Sequence, residues 1–164
     1  MPINFRNQQG FVLVVSLILL VIVTILVVNA MRVTTMNEKM AGNYMDRNRA
    51  FQAAEQAMRQ GESLLQNNAE TCLSGCTGTN VSGVGSVATG NTIPNTWSDN
   101  GSSSANMITG QATSGKYLVN QLSDTLRPSD KSSCKAYSIM GRGQGIDSRS
   151  VVVLQTIAYV CPVS

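Results

Sequence analysis

The chain has 164 residues, 12 lysines and arginines, nine aspartates and glutamates, no histidine, and a formal net charge of +3. Histidine is the commonest general base and metal ligand, and the carboxylates here do not cluster, so we expect neither an enzyme nor a metal or cofactor site. The cations are scattered and not interleaved with aromatic residues, which argues against a nucleic-acid partner.

An uncharged apolar run occupies residues 11–31 and contains no proline or glycine. At about 1.5 Å of rise per residue, a helix of this length spans roughly 30 Å, the thickness of a bilayer's hydrocarbon core. Ser16, Thr24 and Asn29 are its polar residues, and a helix can satisfy such side chains with its own carbonyl groups or against a neighbouring helix. The run therefore predicts a transmembrane helix.

The segment before this run, residues 1–10, is short and polar, carries one cation, Arg6, and ends in Gly10 directly before Phe11. A secretory signal peptide would have a shorter apolar region followed by a small-residue cleavage site. The Gln-Gln-Gly-Phe junction instead resembles the leader of type IV prepilins, which a prepilin peptidase cuts on the cytoplasmic side. The resemblance implies cleavage between Gly10 and Phe11 and N-methylation of Phe11. The alternative is an uncleaved signal anchor.

Residues 32–67 contain no proline and place apolar side chains at spacings of three and four, which predicts an amphipathic continuation of the helix. The apolar stripe consists of Ala50, Phe51, Ala53, Ala54, Ala57, Met58, Leu64 and Leu65. The opposite side carries charge, including the i, i+4 pair Glu55 and Arg59. Gly42 and Gly61 are candidate bends or close-packing points. We expect this half of the helix to lie on a soluble domain.

Within the second half of the predicted helix, the sequence words MAGN, DRN and AFQAAE follow one another in that order. Together with the leader and the apolar run, they resemble the N-terminal signature of PilX-type minor pilins of Gram-negative type IV pili. The signature residues are Met40, Ala41, Gly42, Asn43, Asp46, Arg47, Asn48, Ala50, Phe51, Ala53, Ala54 and Glu55. The resemblance implies a pilin-like α+β fold, in which a long N-terminal hydrophobic helix packs on a C-terminal antiparallel sheet.

Residues 68–115 are rich in serine, glycine, threonine and asparagine and contain a single aromatic residue, Trp97. This composition predicts a loop, with one short hairpin near residues 81–87. In pilin-like proteins the stretch between helix and sheet is the variable region, which implies a partner-contacting role. A solvated loop held by Trp97 and a bridge between Cys72 and Cys76 is the alternative.

Residues 116–164 predict an antiparallel sheet, with strands over residues 116–122, 134–140 and 149–160. A connection over residues 126–133 joins the first two strands, and a Gly-rich segment, residues 141–148, joins the last two. Its GxGxG pattern invites a nucleotide-binding interpretation, but that fingerprint must precede a helix, and here a strand follows. We therefore predict a hairpin turn.

The four cysteines favour an oxidising compartment beyond the inner membrane, and they allow three disulfide pairings. Cys134 opens one predicted strand and Cys161 closes its antiparallel neighbour, so the two lie at the same end of the hairpin. Cys72 and Cys76 then pair locally. A zinc site would need two close cysteine pairs, and the chain offers one.

The resemblance to PilX-type pilins also implies a function and a set of partners. It implies a minor pilin that helps to initiate type IV pilus assembly, and a single-pass protein of the bacterial inner membrane with a periplasmic soluble domain, found at or near the pilus tip after assembly. The implied partners are other minor pilins, the major pilin, a tip adhesin and the prepilin peptidase. The alternatives are a minor pseudopilin of a type II secretion system and a bitopic periplasmic sensor.

One residue departs from the general pilin pattern. If Phe11 is the first mature residue, the fifth is Val15, where most pilins carry a glutamate that is taken to attract the N-terminal amine of the subunit ahead. Val15 cannot do this. We therefore expect a position at or near the pilus tip, where no docking beneath another subunit is needed. The alternative is that Val15 is one more lipid-facing aliphatic residue.

Overall fold

The computed structural model describes residues 9–76, 93–108 and 113–162. The chain divides into two units, one ending at Asn43 and the other beginning at Tyr44. Helix α1 (Gln9–Asn67) contributes to both units, and every other element belongs to the second. The predicted α+β class is confirmed, since a long N-terminal helix accompanies an antiparallel sheet.

In the first unit, residues 11–31 of α1 are apolar on all sides. Every large apolar side chain of residues 11–31 is exposed, from 43% for Val15 to 73% for Phe11. The hydroxyls of Ser16 and Thr24 each donate, at 2.8 Å, to a carbonyl three residues earlier in the helix, which satisfies them without outside partners. Among the described residues, one helix, α1, is long and apolar enough to cross a membrane.

The second unit contains a four-stranded sheet. Its strands are β1 (Ser103–Ser104), β2 (Ser114–Gln121), β3 (Lys135–Gln144) and β4 (Val151–Val160), adjacent in that order and antiparallel throughout. A short helix, α2 (Ala69–Leu73), follows α1, and two 3-10 turns, Asp124–Leu126 and Ser129–Lys131, lie between β2 and β3.

Small side chains line the face of α1 that packs on the sheet. The alanines of this face are each at most 1% exposed, and they are Ala50, Ala53, Ala54 and Ala57. Opposite them, a Cβ added to Gly141 would lie 2.8 Å from the Met58 nitrogen and would overlap the Ala54 carbonyl oxygen. Helix backbone and strand backbone are therefore in direct contact, which larger residues on either side would prevent.

Larger side chains fill the core farther along α1. Leu65 of the helix, Val119 of β2 and Ile139 of β3 are each at most 2% exposed and belong to one cluster of buried residues. Burying a side chain of this size contributes about 1.5 to 3 kcal/mol relative to leaving it in water. The predicted apolar stripe is thus largely buried, but Phe51 is 46% exposed and does not belong to this cluster.

The structure corrects the predicted turn between the last two strands. Gly141 pairs with Leu154 and Gly143 pairs with Val152, so β3 continues through both glycines. The predicted turn over residues 141–148 was wrong in its first half, because these glycines serve close packing against α1 and not chain reversal. The last strand ends at Val160 as predicted, the other strand ends differ from the prediction by one or two residues, and the two-residue strand β1 was not predicted.

Part of the predicted loop region is fastened to α1. The side-chain amides of Gln56 and Gln60 each donate to the backbone carbonyl of Asn106 at 2.7 Å. In return, the backbone N–H of Asn106 donates to Gln60 Oε1 at 2.8 Å. The segment of residues 93–108 is therefore held at the helix by a polar cluster. The hairpin predicted at residues 81–87 lies outside the described residues.

The same segment also contacts the sheet. Gln155 of β4 donates through Nε2 to the Pro94 carbonyl and to the Ser138 hydroxyl, each at 2.7 Å. Ser138 is fully buried, so this bond satisfies a polar group inside the unit. Trp97 is half-buried and donates through Nε1 to Asp99 at 3.3 Å, which is a local contact within the loop.

Candidate functional site

The predicted processing junction lies at the start of α1. Gly10 and Phe11 are the second and third residues of this helix, and both are exposed. A Cβ added at Gly10 would meet no other described atom within 4 Å, so the fold of the described residues places no steric demand for glycine there. Cleavage and N-methylation at this junction remain predictions.

Three of the four alanines of the family signature serve packing. Ala50, Ala53 and Ala54 are buried, and a Cβ at Gly143 would overlap the Ala50 carbonyl oxygen. The alanines of α1 and the glycines of β3 therefore let the two elements approach each other closely. The spacing of apolar residues predicts the helical stripe, but it does not predict why the side chains of the stripe are small.

The remaining signature residues are mostly exposed. Glu55 accepts a hydrogen bond from the Arg59 guanidinium at 2.6 Å, which is a surface ion pair of the predicted i, i+4 type. The exposed signature residues are Met40, Ala41, Gly42, Asn43, Arg47, Asn48 and Phe51. Because these side chains do not support the fold of the chain itself, they are available for contacts with other molecules.

Asp46 joins α1 to the loop between β3 and β4. Its carboxylate accepts hydrogen bonds from the backbone amides of Ile146 at 2.7 Å and Asp147 at 3.2 Å. The Ser150 hydroxyl also bonds to it, and this bond, followed by the one from Ile146, lowers the pKa of Asp46. A Cβ at Gly145 would lie 2.6 Å from Asp46 Oδ1. The sequence does not predict this role of Asp46, because its partners follow it by 100 residues or more.

An ion pair stiffens the same loop. Arg149 donates to the two carboxylate oxygens of Asp147, at 3.2 Å from Nε and 2.8 Å from the terminal nitrogen. The hydrogen bond from the Arg149 side chain lowers the pKa of Asp147 to about 2. Fork-shaped pairing of this kind fixes the direction of both side chains.

The four cysteines lie in two pairs. The sulfur atoms of Cys72 and Cys76 are at bonding distance across the end of α2, and so are those of Cys134 and Cys161. Lys135 pairs with Val160, which puts the residues just before β3 and just after β4 at one end of the hairpin. This is the arrangement expected from the strand assignment.

Tyr137 connects the first cysteine pair to the sheet. Its side chain is fully buried in β3, and its hydroxyl donates to the Cys72 carbonyl. Burial raises the pKa of Tyr137 to about 12, so the phenol remains a hydrogen-bond donor at any physiological pH. The sequence carried no signal for this bond, since it depends on the packing of α2 over the sheet.

Comparison with known families decides the identity of the chain. The PilX N-terminal family matches residues 9–59, and the family described as type IV pilus assembly protein PilX C-term matches residues 82–159. The two matches together cover most of the sequence. The chain belongs to the PilX family of type IV pilus minor pilins. Searches of curated proteins and of solved structures found no match.

One match covers most of helix α1 of this PilX protein, and the other covers the sheet. The N-terminal match spans the apolar part of α1 and the whole signature, and the C-terminal match spans nearly all of the sheet. PilX proteins are structural components of the type IV pilus that interact with other components of it. In this PilX chain, the apolar part of α1 is the membrane anchor, and Ala50, Ala53 and Ala54 farther along the helix pack on the sheet.

Proposed function

We propose that this PilX protein initiates pilus assembly and remains at or near the pilus tip. Before assembly it spans the inner membrane once, with the second unit in the periplasm, after the prepilin peptidase has cut between Gly10 and Phe11 and Phe11 has been methylated. It then joins other minor pilins, the major pilin and a tip adhesin. The observation that carries the proposal is the exposed apolar run of α1, residues 11–31, in a chain of the PilX family.

The physical step is the transfer of an apolar helix from lipid to a bundle of similar helices. Residues 11–31 expose aliphatic side chains all round, so both environments accept them at little hydrophobic cost. Close packing among helices then supplies the favourable term. Within the second unit, Tyr44 and Phe51 are also exposed, and neighbouring subunits can cover them.

Val15 supports the position at the tip. A carboxylate within the membrane costs several kcal/mol unless it is paired, so a glutamate at this position in most pilins implies a docking role. Val15 offers no such group, and its side chain is exposed on α1. A subunit that need not dock beneath another can lack the carboxylate. A lipid-facing aliphatic whose docking partner lies elsewhere is the competing interpretation of Val15.

Two other functions compete with this proposal. A minor pseudopilin of a type II secretion system would share the architecture, but the matched C-terminal family is described by pilus assembly, which favours the pilus. A bitopic periplasmic sensor would retain residues 1–10 and would not enter a fibre. We propose a structural and not an enzymatic role, in keeping with the PilX family.

The test is immunogold labelling of pili, combined with deletion of the gene in its own host. We expect label at fibre ends in few copies, and a deletion strain with fewer pili of normal length. A Val15→Glu variant should restore pilus number, if contacts of the second unit also direct it to the tip. Label spread evenly along the shaft would exclude the tip position, and unchanged piliation in the deletion strain would exclude initiation.

A further inference from the structure

A single asparagine of the chain, Asn100, is followed directly by a glycine. Asparagine before glycine is the pair most prone to spontaneous deamidation, because glycine has no side chain to hinder its backbone nitrogen from reaching the asparagine side chain. The pair lies in the turn before β1, where the Ser102 amide donates to the Asp99 carbonyl at 3.3 Å. Gly101 has a φ of 79°, a conformation that suits glycine in turns.

Both reacting groups of this pair are free. Asn100 and Gly101 are exposed. Toward the residues that the structure describes, the Gly101 backbone N–H donates no hydrogen bond, and the Asn100 side chain forms none. The backbone N–H of Asn100, by contrast, donates to the Ser98 hydroxyl at 3.2 Å. The attacking nitrogen and the side-chain carbonyl carbon are therefore neighbours in water, and no hydrogen bond within the described ranges holds them apart.

Two cations act on the same turn. Lys116 donates from Nζ to Asp99 Oδ1 at 3.0 Å, and this bond is the largest cause that lowers the pKa of Asp99. The positive charge of Arg142 lowers this pKa as well. Two cations and one carboxylate leave an excess of positive charge beside the turn. Positive charge stabilises the oxyanion that forms when a nitrogen attacks a carbonyl carbon, so these cations favour the reaction.

We propose that Asn100 is a site of self-modification, at which the folded protein deamidates without an enzyme to aspartate and isoaspartate. The Gly101 nitrogen loses its proton and bonds to the side-chain carbonyl carbon of Asn100, and the side-chain nitrogen leaves as ammonia. Because the two groups belong to adjacent residues, the attack is intramolecular and needs no collision. Water then opens the cyclic succinimide at one of its two carbonyl carbons. The overall reaction consumes one water and releases one ammonia.

The modification changes how residues 93–108 are attached to the sheet. Isoaspartate adds one carbon to the main chain between Asp99 and Ser102, so the hydrogen bond that closes this turn is lost. The turn leads to Ala105, whose amide donates to the Gly115 carbonyl at 2.8 Å next to the pairing of β1 with β2. Isoaspartate therefore loosens this attachment, whereas aspartate keeps the main chain and adds a negative charge beside the two cations. An aged molecule differs from a new one in both respects.

The direct test incubates the detergent-solubilised full chain at neutral pH in water enriched in oxygen-18. Peptide mapping then separates the asparagine, aspartate and isoaspartate forms of the peptide that contains residue 100. We expect steady conversion to both products, each with one heavy oxygen from water. Asn106 is the internal control, because it is exposed in the same segment but precedes a methionine and has its backbone fixed by Gln56 and Gln60. It should remain unconverted.

Two outcomes of this incubation would overturn the proposal. A parallel sample in urea shows how fast the unfolded chain converts. If Asn100 converts in urea but remains intact in the folded chain, the fold protects the turn and the inference is refuted. If aspartate forms without isoaspartate, the succinimide is excluded, because water opens that ring on both sides. The test needs neither a pilus nor a partner, so its result is independent of the proposed function.

Hydrogen exchange of the Ala105 amide measures the structural consequence, since exchange reports local opening of the backbone. We expect severalfold faster exchange in a sample enriched in isoaspartate than in fresh protein. The Asn100→Asp variant is the control, because it carries the added charge on a normal main chain, and it should exchange like fresh protein. An Asn100→Gln variant, whose longer side chain disfavours the ring, should show no change on ageing. Equal exchange in fresh and isoaspartate-rich protein would overturn the loosening of the attachment.

Discussion

The α-carbon of Gly143 lies so close to the Ala50 carbonyl oxygen that a Cβ at position 143 would occupy the space of that oxygen. Gly143 belongs to β3 and Ala50 to α1, so the contact joins backbone to backbone across the unit. This close approach explains why the face of α1 consists of alanines and why β3 carries glycines at positions 141 and 143. The packing of α1 on the sheet depends on this contact.

We expect Gly143→Ala to destabilise the second unit strongly. The added methyl group meets a helix backbone that cannot move aside as a flexible side chain would, and such overpacking costs about 1 to 3 kcal/mol or more. Denaturant unfolding of the detergent-solubilised full chain measures the loss. Gly42→Ala is the control, because a Cβ there meets nothing within 4 Å and alanine favours helix by about 1 kcal/mol. Equal stability of the two variants would contradict the close contact.

The stability of the loop attachment should depend on pH through Asp46. Hydrogen bonds from Ser150 and Ile146 lower its folded-state pKa below the ordinary 3.8, so the carboxylate stabilises the fold above that pH. This contribution is lost as the pH falls through the lowered pKa. We expect Asp46→Asn to lower Tm at pH 7 and to match the unchanged protein at the acid end. A difference in Tm that persists unchanged into acid would count against Asp46 as the titrating group.

The two cysteine pairs should differ in their effect on stability. Closing the 27-residue separation between Cys134 and Cys161 stabilises by about 3.5 kcal/mol in the loop-entropy treatment. The separation of 4 between Cys72 and Cys76 gives about 2 kcal/mol. We therefore expect the double serine variant of Cys134 and Cys161 to be less abundant than that of Cys72 and Cys76. Non-reducing peptide mapping that joined Cys72 to Cys134 or Cys161 would refute the pairing.

Cleavage at the leader junction should depend on Gly10. The mature protein should begin at N-methylated Phe11, and mass spectrometry of membrane-extracted protein measures this directly. Gly10→Leu should leave residues 1–10 attached, whereas Gly42→Ala, a glycine change elsewhere on α1, should leave processing unaffected. Retention of the leader by the unchanged protein in a strain with an active prepilin peptidase would contradict the prediction.

Much of this protein follows from its sequence alone. The membrane-length helix, its amphipathic continuation, the antiparallel strands and the family were all predicted, because each depends on local composition, on periodicity or on short words. Residues 11–31 have no alternative to helix in lipid, since only intrahelical bonds can satisfy the backbone there. The hairpin between β3 and β4 likewise follows from two β-rich runs separated by turn residues.

The tertiary structure alone decided what the small and polar residues are for. From the sequence, Gly141 and Gly143 are predicted to be turn residues. In the structure they lie within β3, at the positions where this strand contacts α1. Asp46 is one more polar residue of a helix until the fold brings to it a loop that follows it by 100 residues. Such roles depend on which backbone segment packs opposite a residue in the fold. Neither hydrophobic periodicity nor secondary-structure propensity identifies that segment.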